Sequence, residues 1–105
     1  MELILEALKA NNTRLQNIRS SMTREELLAG LAEECGEGVR AALHLRRAID
    51  GANPTKDLAI DADENLWEEI GDILLYAYTI GIDERLVAES IYKKSKRWTK
   101  RLGIE

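Results

Sequence analysis

The run from Ile70 to Ile80 is apolar on nearly every side of a helix, and Asp72 interrupts it. A helix that is apolar all round has to be buried, and a chain of 105 residues can scarcely enclose one within a single copy. The run therefore predicts an all-α fold in which the third helix packs on other helices and carries the contact between copies. At about 100° per residue, Asn65, Glu69, Asp72 and Tyr76 share one side of this helix. Together they draw a polar line along an otherwise apolar cylinder. Surface acids scatter, so a line of them on the most buried helix needs a cause.

A second acid pair, Glu34 and Glu37, has the same i, i+3 spacing in an earlier helical segment. Side chains three apart project from one face, about 60° apart. Four carboxylates on two facing helices converge, and unpaired burial costs about several kcal/mol for each. Ion pairs to Lys or Arg of the last helix are one remedy. A divalent cation is the other, and an all-oxygen donor set suits a hard ion, Mg²⁺ or Mn²⁺. The Glu-x-x-His pairs of a carboxylate-bridged di-iron bundle are missing, which argues against redox chemistry.

Leu, Ala, Glu and Arg are plentiful, with one Pro and no Phe, a composition that favours helices. The length and the 45% hydrophobic, 32% charged balance suit one globular domain over residues 1–105. Four helices are expected. The first spans Glu2 to Arg19, weakened at Asn11-Asn12-Thr13. The second runs from Thr23 to Asp50, with a capping-box start at Thr23/Glu26 and a stop at Gly51. Its apolar stripe is Leu27, Leu28, Leu31, Cys35, Val39, Ala42 and Leu43. Gly36 and Gly38 each cost about 1 kcal/mol inside a helix, so a backbone or ligand is expected to approach closely there. Residues Gly51 to Ile60, with Asn53-Pro54, form the loop. The third helix starts near Asp63 and ends before Gly81. Asp83 caps the fourth, and Gly103 ends it.

The remaining candidates read as follows. Cys35 is expected as a small buried apolar group, and no His or Cys partner makes it a nucleophile. Glu33 and Glu68 are expected to be exposed, and His44 to be a partly exposed bystander. Trp98 lies on the stripe Val87, Ile91, Trp98, Leu102 and reads as core. Trp67 faces away from Glu69, towards packing or a contact between copies. Lys93, Lys94 and Arg97 on the last helix are placed to meet a phosphate.

The net charge of −4 argues against nucleic acid as a partner. A lone cysteine suits a reducing compartment, and no apolar run reaches the about 18 residues of a membrane span. The expectation is a cytoplasmic protein with no membrane partner.

The strings Leu31-Ala32-Glu33-Glu34-Cys35-Gly36-Glu37 and Glu68-Glu69-Ile70-Gly71-Asp72-Ile73-Leu74 resemble the MazG-like nucleoside triphosphate pyrophosphohydrolases. This all-α superfamily also holds the dimeric dUTPases and dCTP pyrophosphatases. Its signature, Glu-x-x-Glu on one helix and Glu-x-x-Asp on the next, is met by Glu34/Glu37 and Glu69/Asp72. The likeness runs from about Thr23 to Arg101. It implies a four-helix MazG-like bundle, working as a homodimer or homotetramer, that cleaves (deoxy)nucleoside triphosphates to monophosphate and pyrophosphate in nucleotide-pool house-cleaning. It further implies that Glu34, Glu37, Glu69 and Asp72 bind Mg²⁺, that Tyr76 contacts substrate, and that Lys93 contacts phosphate, a place helical geometry also gives to Lys94. Arg97 stands near where the family often has Asn. Glu34 and Glu37 are both open as the base that accepts a proton from water. The reading from another class is a noncatalytic helical interaction module, with the acids paired to bases of a partner.

Overall fold

The computed structural model describes residues 1–51 and 58–104. Asn53-Pro54 lies outside the described residues. Five helices follow in order: α1 (Glu2–Ala10), α2 (Asn12–Ser21), α3 (Arg24–Ile49), α4 (Leu58–Ile80) and α5 (Glu84–Leu102). The described residues are all-α, with five helices where four were expected.

The extra break falls at Asn11, whose backbone leaves helical values at φ −103, ψ 11. Its side-chain Nδ2 donates to the Ala7 carbonyl at 2.7 Å. The Asn11 amide donates to the same carbonyl at 3.2 Å, so the side chain adds a local bond beside the helical one, of the kind asparagine favours, where the expected Glu2–Arg19 helix divides into α1 and α2. The other boundaries are largely local chemistry. The Thr23 hydroxyl accepts from the Glu26 amide while Glu26 Oε1 accepts from the Thr23 amide, both at 3.1 Å. The Asp83 carboxylate accepts from the Leu86 amide at 3.1 Å. Gly103 closes α5 at φ 70, a left-handed value that glycine takes without a Cβ penalty. The start of α4 departs from expectation. It lies at Leu58 rather than near Asp63, and this added turn leads into the core with Ala59 half-buried and Ala62 buried.

The centre of the molecule is the antiparallel pair α3–α4, with α2 laid against α4 and α1 beside α2. Leu27, Leu31, Glu34, Gly38, Ala41, Leu45 and Ala48 form the covered seam of α3. Ala62, Leu66, Glu69, Ile73, Tyr76 and Ile80 form that of α4. Both alternate steps of four and three residues, the spacing that keeps two long helices in contact. Two carboxylates, Glu34 and Glu69, therefore occupy seam positions that packing alone would give to Leu.

Close approach explains one of the two glycines flagged in the sequence. A Cβ on Gly38 would come within 2.9 Å of Ile73 Cδ1, whereas one on Gly36 meets nothing within 4 Å. The closest approach is at Gly30, where an added Cβ would clash with the Tyr76 ring at Cε1 and Cζ.

Three burial expectations are corrected. Cys35 is exposed rather than buried. Trp98 is 50% exposed rather than core. The third long helix, α4, is not covered all round, since Trp67, Ile70 and Leu75 remain exposed. One cause serves for all three: each helix has more apolar surface than its neighbours in one copy can cover. Leu27 and Leu31 of the expected α3 stripe meet α4, while Leu28, Cys35, Val39 and Leu43, turned about 100° away, face outwards. α5 has no buried residue at all. No described helix is long and apolar enough to cross a membrane.

Candidate metal centre

Glu34 and Glu37 of α3 and Glu69 of α4 each offer a carboxylate oxygen, all within 4.8 Å of one another. The heptad seam brings Glu34 and Glu69 together, and Glu37, one turn on, flanks the seam. All three side chains are half-buried. Oε2 of Glu34 and Oε2 of Glu69 are sealed from water, and neither has a hydrogen-bond partner among the described residues. Unmet buried acceptors of this kind cost about 1–3 kcal/mol each, and more when charged.

The electrostatics record the strain. The Glu69 carboxyl is pushed from its ordinary 4.5 up to about 7. Loss of water around the sealed oxygen is the leading cause, followed by a hydrogen bond shared with Glu34 and by repulsion from Glu37, Glu34 and Asp72. A proton held between Glu34 and Glu69 satisfies one acceptor. A hard cation relieves both acceptors and all of the repulsion, and three converging oxygens suit it.

Bases from the last helix do not supply this relief. Lys93, Lys94 and Arg97 are exposed on α5, which lies apart from the α3–α4 seam. Lys93 and Arg97 form one basic face with Lys96 and Lys100, while Lys94 Nζ sits 5.6 Å from the Trp98 ring centroid. The ion pair that reaches the cluster is a loose one, Arg40 Nη2 to Glu37 Oε1 at 3.8 Å, and Arg40 is 78% exposed. Asp72 is exposed and stands outside the three-carboxylate group, though close enough to raise Glu69. Tyr76 is half-buried across Gly30 and borders a hollow with Ile18, Met22, Leu27 and Thr79. Glu33 and Glu68 face solvent. Trp67 is exposed, and its indole Nε1 donates to Asp63 at 3.2 Å.

Two features escaped the sequence reading. Arg40 lies one turn beyond Glu37 and extends the acid line with a cation; its i, i+3 spacing was a usable signal. Gly30 lies four residues before Glu34, and an interior glycine at that offset marks the same close face.

A family model described as the MazG nucleotide pyrophosphohydrolase domain matches residues 22–101. No curated protein and no solved structure matches the chain.

Proposed function

We propose, from the premise that this chain belongs to the MazG nucleotide pyrophosphohydrolase family, that it is a divalent-metal-dependent enzyme. It splits (deoxy)nucleoside triphosphates into monophosphate and pyrophosphate, in the service of nucleotide-pool house-cleaning. The observation that carries the metal is the pair of sealed, unpartnered oxygens on Glu34 and Glu69 beside Glu37. Glu34, Glu37 and Glu69 hold Mg²⁺ or Mn²⁺, and Asp72, one turn along from Glu69, is the fourth ligand. When bound, the cation neutralises phosphate charge and acidifies water. Glu34 or Glu37 accepts the proton of the attacking water, and Tyr76 contacts the substrate.

Assembly belongs to the same proposal. The accessible surface is 8525 Å², against about 5,900 Å² for a compact monomer of 11.9 kDa. The radius of gyration is 16.8 Å, against about 13 Å for this length. The excess of about 2,600 Å² is of the size that an obligate partner covers. It includes Leu28, Val39 and Leu43 on α3, Trp67 and Ile70 on α4, and Leu86, Ile91, Trp98 and Leu102 on α5. A second copy buries these stripes and brings Lys93, Lys94 and Arg97 to the substrate phosphates, which explains why α5 stands off the acid cluster. Light scattering is expected to give a mass of at least twice 11.9 kDa; a stable monomer at micromolar concentration rejects this assembly.

The reaction is tested by incubating the protein with each nucleoside and deoxynucleoside triphosphate and Mg²⁺. Monophosphate with equimolar pyrophosphate is expected. Release of orthophosphate alone, or no product from any triphosphate, overturns the assignment.

A further inference from the structure

The acid cluster has two unlike ends. Beyond Glu34, towards the start of α3, lie Gly30 and the Tyr76 ring, then an apolar hollow lined by Ile18, Met22 and Leu27. Beyond Glu37, in the other direction, a crevice of about 180 Å³ runs between Arg40, Ala41 and His44 on α3 and Asn65 and Glu69 on α4. Its lining is polar, with a guanidinium, an imidazole and a carboxamide set around one small alanine. Ala41 is buried, and its short side chain leaves the space that the larger groups surround. The crevice shares Glu37 and Glu69 with the cluster, so a ligand there touches both.

Size and chemistry select the occupant. Pockets for whole drug-sized ligands run to about 300–1,000 Å³, so this crevice takes a fragment of a nucleotide rather than all of it. Among the described residues that line it there is no Trp, Tyr or Phe ring, the broad faces on which a base stacks best. Among the described residues, Arg40 is tethered by a 3.8 Å contact on an exposed side chain, an arrangement of little energetic value. Its guanidinium is thus available to turn, and the planar fork matches phosphate oxygens bidentately.

We propose that Arg40, His44 and Asn65 form the subsite for the two terminal phosphates of the triphosphate, the part that leaves as pyrophosphate, while the nucleoside lies towards Tyr76. This rests on the pyrophosphohydrolase reading above. In the reaction, a water oxygen bonds to the α phosphorus and the bond from that phosphorus to the α–β bridging oxygen breaks. The electron pair departs with pyrophosphate, and the water proton passes to a cluster carboxylate. Arg40 and the Asn65 amide donate to the oxygens on which the new charge collects, and His44 closes the far end of the crevice.

The test is product inhibition of Arg40→Ala and His44→Ala, with circular dichroism to confirm folding and Arg40→Lys to separate charge from fork geometry. In Mg²⁺, inhibition by inorganic pyrophosphate is expected to weaken about ten- to a hundredfold in Arg40→Ala, less in Arg40→Lys and by a measurable margin in His44→Ala. Inhibition by the nucleoside monophosphate is expected to stay as in the unaltered protein. Unchanged pyrophosphate inhibition in Arg40→Ala, or a loss confined to monophosphate, overturns the subsite. Calorimetric titration of the same proteins with magnesium pyrophosphate reads the crevice without turnover. A chain that hydrolyses no triphosphate therefore refutes the enzyme, while equal pyrophosphate affinities in the unaltered protein and Arg40→Ala refute the crevice.

Discussion

Glu69→Gln is expected to lower Mg²⁺-supported triphosphate hydrolysis by more than about 100-fold, since loss even of a group that merely supports a metal ligand costs about 10–100-fold. Helix content stays intact, because the amide keeps the shape of the side chain in the α3–α4 seam. The same substitution changes how stability depends on pH. In the metal-free protein the Glu69 carboxyl titrates near 7 rather than at its ordinary 4.5. Between those values the folded state holds a proton that the unfolded state has released, so stability falls as pH rises through that window. Below about 4.5 both states are protonated and the difference vanishes. Above about 7 the folded state carries the full repulsion of Glu34, Glu37 and Asp72 against an ionised Glu69. Thermal unfolding in EDTA from pH 4 to pH 8 is expected to show this decline in the unaltered protein, and a flatter curve in Glu69→Gln. Mg²⁺ should restore the unaltered protein most at high pH, because binding displaces the proton. Full activity in the variant, or the same pH slope in both proteins, removes Glu69 from the site.

Gly30→Ala is expected to destabilise the fold by about 1–3 kcal/mol, the range for forcing extra atoms into a packed interface. Helix propensity alone predicts the reverse, a gain of about 1 kcal/mol. The two effects oppose each other here, and sterics win because the new methyl would occupy the place of the Tyr76 ring. That ring is half-buried beside Gly30 of α3 and borders a hollow that Ile18 and Met22 also line. It cannot swing away without giving up its half-buried position. For a domain of this size the loss corresponds to a fall in Tm of roughly 5–20 °C. A double-mutant cycle isolates the cause. In a Tyr76→Ala background the clash is gone, and Gly30→Ala should become neutral or stabilising. Gly36 is the internal control, since a Cβ there meets open space. A stabilised Gly30→Ala in both backgrounds would show that Tyr76 does not rest on α3 at this point.

The boundaries legible in the residues were those made by bonds spanning three or four positions. Thr23 with Glu26, Asp83 with Leu86 and the left-handed Gly103 close their helix ends through neighbours in the chain. Asn11 marked a weakness for the same reason, and the chain departs from helical values at that one residue, between α1 and α2. The acid pairs were legible too, because i, i+3 spacing on a helix leaves little choice of face. The same spacing could not show that Asp72 stands outside the group of three. On α4 it lies about 60° from Glu69, and α3 covers the side on which Glu69 sits.

Residue order alone thus established that these segments are helices, where several of them stop, and that carboxylates line two of them, since backbone hydrogen bonding and rotation per residue are properties of adjacent positions. Only the tertiary structure decided which stripe of α3 meets α4, that Glu34 and Glu69 each have an oxygen sealed from water, that Gly30 lies against the Tyr76 ring, and that α5 stands apart with its apolar stripe bare. Burial is a relation between two surfaces. A helix with two apolar stripes carries no mark of which one its own chain covers and which one it leaves for a partner.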